Sequence, residues 1–155
     1  MHTVGSRASA CLGFIFNATT ALIAMVGLVG FLLQRSPPNS EFKVLKYQPY
    51  MTLTSQSFTF IPNIDLKEEF NPNLKQIFFY VKVVFGKNKE NSEMIWSKIV
   101  TRKDEKKFFE AIKSNYRLSN LESYETLDFE LRGCYFPYVG MIRDICFKTF
   151  IFDQK

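Results

Sequence analysis

The chain has 155 residues, 46% of them hydrophobic and 16% aromatic, with 20 Lys and Arg against 15 Asp and Glu for a net charge of +5. That charge is modest and dispersed, which argues against a nucleic-acid binder, whose surface would mass Lys and Arg on one stripe with aromatics placed to stack on bases. Three cysteines are too few for a disulfide framework, and with His2 as the single histidine no recognisable zinc spacing can be assembled.

The chain opens with a short tip, residues 1–10, followed by a segment of residues 11–33 with no ionisable side chain except the Cys11 thiol. As a helix this segment is about 35 Å long at about 1.5 Å per residue, enough to cross a bilayer core. A cleaved signal peptide would carry an apolar region of only about 7–15 residues and a small-x-small cleavage site. Here Gln34-Arg35-Ser36-Pro37-Pro38 follows instead. The sequence therefore predicts a retained transmembrane anchor. Arg7 and Arg35 bracket it and can both snorkel to headgroups, while Lys43 and Lys46 tilt the charge count toward a cytosolic C-terminal side. Charge alone leaves the direction open. Within the span, Asn17, Thr20, Ala21, Ala24 and Gly27 fall near one face at spacings of three or four, where small and polar groups admit another helix.

Residues 34–40 form a stiff, helix-breaking linker because of Pro37 and Pro38, and residues 41–155 form one domain. Strand signals dominate it, at residues 42–47, 57–61, 74–85, 94–100, 124–131 and 144–152, all rich in β-branched and aromatic residues. The clearest alternation places Leu127, Phe129 and Leu131 toward a core and their neighbours toward water. The run Ile77-Phe78-Phe79-Tyr80-Val81 lacks alternation, so both its faces are expected to be covered, as in a central strand or one that meets a partner. Residues 86–91 and 137–140 are turns. Residues 104–113 read as a short helix with Asp104 as cap and Phe108, Phe109 and Ile112 as its apolar face. The expected fold is mainly β: a single N-terminal transmembrane helix, then a small antiparallel β-sandwich with one short helix. Cys134 and Cys146 flank the second turn and would meet across its hairpin in an oxidising compartment; two free buried thiols are the other reading.

No catalytic constellation emerges. His2 sits at the N-terminus, across the membrane from the domain, so a Ser-His-Asp triad within the chain is excluded. No Gly-x-Ser-x-Gly or Ser-x-x-Lys context supports a Ser-Lys dyad. The carboxylates at Glu68-Glu69 and between Glu122 and Glu130 read as solvated. Nor is there a Gly-rich phosphate loop, a Cys-x-x-Cys or a calcium loop. This favours a non-enzymatic scaffolding or binding role without cofactor or metal.

Several blocks resemble a known family, the non-catalytic subunit 3 of the eukaryotic signal peptidase complex. They are Thr3-Val4-Gly5-Ser6-Arg7-Ala8 before the anchor, Asp65-Leu66, Phe70-Asn71, Asn73-Leu74-Lys75-Gln76-Ile77-Phe78-Phe79-Tyr80-Val81, Met94-Ile95-Trp96-Ser97-Lys98-Ile99-Val100 and Pro137-Tyr138-Val139-Gly140. Within them Lys75, Gln76, Phe78, Tyr80, Trp96 and Lys98 are the candidates for a partner interface or a core motif. Three features depart from the family: Ser123-Tyr124-Glu125-Thr126 stands where a glycosylation sequon is common, Leu131 or Arg132 stands near a frequent tryptophan, and the C-terminus is short, so that the final strand is not expected to match the family's in full.

The resemblance implies a single-pass type II protein of the endoplasmic reticulum membrane, with a cytosolic N-terminus and a luminal β-sandwich. It implies that the serine nucleophile that removes signal peptides from nascent chains lies in a separate catalytic subunit, which this one supports. The expected partners are that subunit, the other small membrane subunits, membrane lipid and, as a further candidate, the translocon; nucleic acid is not among them. Two other classes compete: a free-standing membrane-tethered binding module, and an enzyme with a Ser-Lys dyad.

Overall fold

The computed structural model describes residues 4–32, 36–49, 56–86, 89–116, 124 and 126–153. His2, residues 33–35, Lys87, Asn88, Ser123 and Glu125, on which parts of the expectations above rest, lie outside the described residues. A single helix, α1 (Val4–Leu32), carries the apolar segment. It begins earlier than residue 11, because Gly5 to Ala10 contain nothing that breaks a helix. It is apolar all round rather than along one stripe, the pattern of a helix solvated by lipid. Its length, about 43 Å at about 1.5 Å per residue, matches a bilayer with its interfacial zones.

The domain is built on two antiparallel sheets. The larger comprises β4 (Leu74–Phe85), β5 (Asn91–Thr101), β8 (Thr126–Pro137) and β9 (Arg143–Asp153), in spatial order β5-β4-β8-β9. The smaller comprises β1 (Lys43–Pro49), β2 (Gln56–Ile61) and β7 (Ile112–Lys113), in the order β1-β2-β7. A two-residue ladder joins β3 (Ile64–Asp65) to β6 (Lys107–Phe108), and a single 3-10 turn covers Lys67–Glu69.

Alternation decides what lies inside. Ile77, Phe79, Val81 and Val83 of β4, Leu127, Phe129 and Leu131 of β8, and Phe58 and Phe60 of β2 are all fully buried. Their rings interlock edge to face, Phe58 on Phe129 at 4.9 Å and Phe60 on Trp96 at 5.8 Å, the geometry that aromatic quadrupoles favour. In β5 the register passes from Val81 opposite Trp96 to Lys82 opposite Met94. The extra residue, Ile95, makes a bulge, and both Ile95 and Trp96 turn inward.

One expectation is corrected. Residues 104–113 are not a helix. The Asp104 carboxylate accepts hydrogen bonds from the Thr101 amide (2.8 Å) and hydroxyl (2.6 Å), which closes a tight turn. Lys107–Phe108 then pairs with Ile64–Asp65, and Ile112–Lys113 pairs with β2. Phe108 is buried while Phe109 is 50% exposed, so adjacent rings point in opposite directions, as in a strand and not along one helical stripe. β4 is central, as expected, and its inner face is covered within the chain; Phe78 and Tyr80 are half-buried on the other face, over which no other element packs among the described residues.

The anchor meets the domain through two glycines. A β-carbon on Gly30 would stand 2.7 Å from the Asn73 side-chain amide nitrogen, and one on Gly27 would stand 3.6 Å from a Val139 methyl. Asn73 in turn clamps the β8–β9 turn: its amide donates to the Val139 carbonyl (2.7 Å), its side-chain oxygen accepts from the Val139 N–H (3.0 Å), and its carbonyl accepts from the Tyr138 N–H (2.7 Å).

Candidate docking surface on the larger sheet

The outer face of the larger sheet is assembled by register. Phe78 lies between Ile99 of β5 and Cys134 of β8, Tyr80 between Ser97 and Arg132, and Lys82 between Met94 and Glu130. On the far side of β8, Cys134 faces Asp144 and Arg132 faces Cys146. Residues scattered through the sequence thus form one continuous surface.

Its charges neutralise each other. Glu130 accepts from Lys82 (3.2 Å) and from Arg132 (2.8 Å), and Arg132 also donates through Nε (3.1 Å) and Nη2 (2.9 Å) to Asp144. The Tyr80 hydroxyl stands 3.1 Å from both Asp144 oxygens and donates to that carboxylate. Burial and the neighbouring Asp144 push the Tyr80 phenol up to about 12. Burial acts to lower the Arg132 pKa, but its hydrogen bonds to Glu130 and Asp144 outweigh this and hold it above the ordinary guanidinium range. For Glu130, burial favours the neutral acid, yet the Arg132 and Lys82 bonds prevail and hold it below the usual carboxylate range.

These shifts bound a pH window. Glu130 has a lower pKa folded than unfolded, so its contribution is present above about pH 4.5 and is lost as acid is added through its folded value. Tyr80 has a raised pKa, so its contribution is present below pH 10 and is lost between pH 10 and about 12. Thermal melts across pH are expected to show both losses. Glu130→Gln should flatten the acid limb and Tyr80→Phe the alkaline one; unchanged limbs would contradict the network.

Beside this network lies an apolar strip. The Phe78 and Tyr80 rings stack at 5.3 Å with 27° between planes, and Ile99, opposite Phe78, is 54% exposed. An open sheet face with internally paired charges and an apolar strip suits burial by a protein partner, since its polar groups already have partners when water leaves.

The structure distributes the sequence-derived candidates over different environments. Phe78 and Tyr80 lie on the outer face, and Gln76 lies on the same face between Thr101 and Phe136. Lys75 is the extra residue of a register shift and is exposed. Trp96 belongs to the core, packed on Phe60, Phe79 and Phe108. Lys98 sits at the sheet edge with its ammonium 5.2 Å from the Phe108 ring centroid. In the anchor, Asn17, Thr20, Ala21 and Ala24 are exposed, with the Thr20 hydroxyl bonded back to the Phe16 carbonyl, whereas Gly27 rests on the chain's own domain. Cys134 and Cys146 are diagonal neighbours on the outer face and are free thiols.

The carboxylates were misjudged as simply solvated. Asp128 is buried and pairs with Lys89, and Glu69 accepts a 2.9 Å hydrogen bond from the buried Tyr135 hydroxyl. Alternation put Glu130 and Arg132 on one face, but nothing in the sequence placed Asp144 beside them; only the β8–β9 register does.

The profile of the signal peptidase subunit family matches residues 1–149, anchor and sandwich together. Signal peptidase complex subunit 3 of Caenorhabditis elegans is 29% identical over 158 aligned positions, covering 92% of this chain and 88% of the relative. The protein of that name from Caenorhabditis briggsae is 27% identical over the same coverage. With a match that runs through the membrane helix and nearly to the end of β9, the chain belongs to the signal peptidase subunit family.

Proposed function

We propose that the protein is a non-catalytic structural subunit of the endoplasmic reticulum signal peptidase complex. It supports a separate catalytic serine peptidase subunit in removing signal peptides from nascent secretory and membrane proteins. The observation that carries this reading is the family match across residues 1–149, which takes in the anchor as well as the sandwich. The relatives' names, signal peptidase complex subunit 3, support membership of the same assembly.

In this reading the protein is single-pass type II, with its N-terminus cytosolic and its sandwich luminal. The strip around Phe78 and Ile99 docks on the catalytic subunit, and the exposed face of Asn17, Thr20, Ala21 and Ala24 packs against partner helices. Purification from membranes in mild detergent tests it: a catalytic peptidase subunit is expected in stoichiometric amount, and its absence overturns the reading. Phe78→Asp with Ile99→Asp is expected to lower that recovery roughly tenfold, as loss of about 1.4 kcal/mol would. Undiminished recovery would move the contact elsewhere.

A further inference from the structure

Among the described residues of the domain, the β8–β9 turn gathers large exposed apolar side chains within five positions. Tyr138, Met141 and Ile142 are 64%, 82% and 61% exposed, an unusual density of large apolar side chains for a turn in water. Gly140, at φ 118°, takes a left-handed conformation that turns the chain sharply there. Asn73 holds the turn rigidly through three hydrogen bonds to Tyr138 and Val139.

The turn's position relative to the anchor says what covers it. Val139 lies beside Gly27, one methyl 3.6 Å from where a β-carbon there would stand, five residues before the end of α1 and so about 7 Å down its axis. The uncharged stretch begins at Cys11, which leaves Arg7 at the headgroups, so a hydrocarbon core about 30 Å thick takes up about 20 residues and reaches the last turn of α1. Gly27, and Val139 with it, therefore lies about one helical turn inside the hydrocarbon's edge. Near it on α1, Leu28 and Phe31 are exposed as well. Lys75 and Arg143, at the adjoining ends of β4 and β9, are placed to reach headgroup phosphates, and a tyrosine such as Tyr138 suits the interfacial layer.

We infer that the β8–β9 turn is a second membrane contact: Tyr138, Met141 and Ile142 insert into the leaflet beside α1 and fix the domain's height and tilt on the bilayer. This follows from the anchor and turn geometry and does not depend on which complex the protein joins.

The test uses the full chain reconstituted in nanodiscs of phosphatidylcholine and phosphatidylserine, with acyl chains either plain or brominated. The chain's one tryptophan, Trp96, is buried and contributes a constant background. Met141→Trp and Ile142→Trp are compared with Ile151→Trp, which is about as exposed as Ile142 but lies toward the opposite end of β9. The turn variants are expected to emit at shorter wavelength and to lose roughly half of the added emission to brominated chains, while Ile151→Trp loses none. Quenching no greater than that of Ile151→Trp overturns the inference. So does a blue shift without quenching, which would mean that protein covers the turn.

Discussion

Phe79→Ala is expected to destabilise the protein by about 3–5 kcal/mol, a large part of the about 5–15 kcal/mol that holds a domain together. Phe79 is fully buried at the centre of β4, with the Trp96, Phe108 and Phe147 rings at 5.5, 5.0 and 6.0 Å. Truncation removes its burial and leaves a cavity bounded by rings that cannot all collapse into it. Denaturant titration of the full chain in detergent, followed by Trp96 fluorescence, reads the loss. Phe78→Ala, one position away on the open face, is expected to cost under about 1 kcal/mol. Equal losses at the two positions would contradict the assignment of faces.

Gly133→Val is expected to cost about 1–3 kcal/mol or more through overpacking. A β-carbon at position 133 would stand 2.5 Å from Phe147 Cζ and 2.8 Å from Cε2, with an Ile77 methyl at 3.4 Å on the other side. The glycine is required by space: the Phe147 ring lies across the strand at this point and reaches Phe79 and Tyr135. Phe147 is the residue skipped where the β8–β9 register shifts, between Leu131 opposite Lys148 and Arg132 opposite Cys146. Adding Phe147→Leu to Gly133→Val should recover part of the loss, a coupling that melts of the four variants would measure. Strict additivity would mean that the collision is relieved elsewhere.

The second prediction turns on a bulge, which alternation along a single strand does not reveal. The boundaries of β4 were readable to the residue, because a long run of aromatic and β-branched side chains between turn signals has few other interpretations. The inward set Leu127, Phe129 and Leu131 was readable from its period of two. Residues 104–113 were misread because a short segment with apolar residues at 108, 109 and 112 fits a helical stripe as well as alternating strand faces. Pairing of Lys107–Phe108 with β3, a contact distant in sequence, settled it.

The candidate surfaces divide in the same way. Phe78 and Tyr80 were visible as an apolar run, but Asp144, which binds both Tyr80 and Arg132, was not, since hydrogen bonds across β4, β8 and β9 depend on register. The turn at Pro137–Gly140 was recognised, yet its nearness to Gly27 could not be, because the two lie more than a hundred residues apart.

By itself the sequence determined what local chemistry dictates: an uncharged span long enough for a bilayer, one β-rich domain, and the inward face of its strongest strands. Only the tertiary structure decided which strands neighbour each other, where Ile95 and Phe147 enter as bulges, which charges meet on the outer face, and how the β8–β9 turn comes to rest against the anchor. The physical reason is that hydrophobic period and composition act over a few residues, whereas register, bulges and loop placement are chosen by the packing of segments brought together from the whole chain.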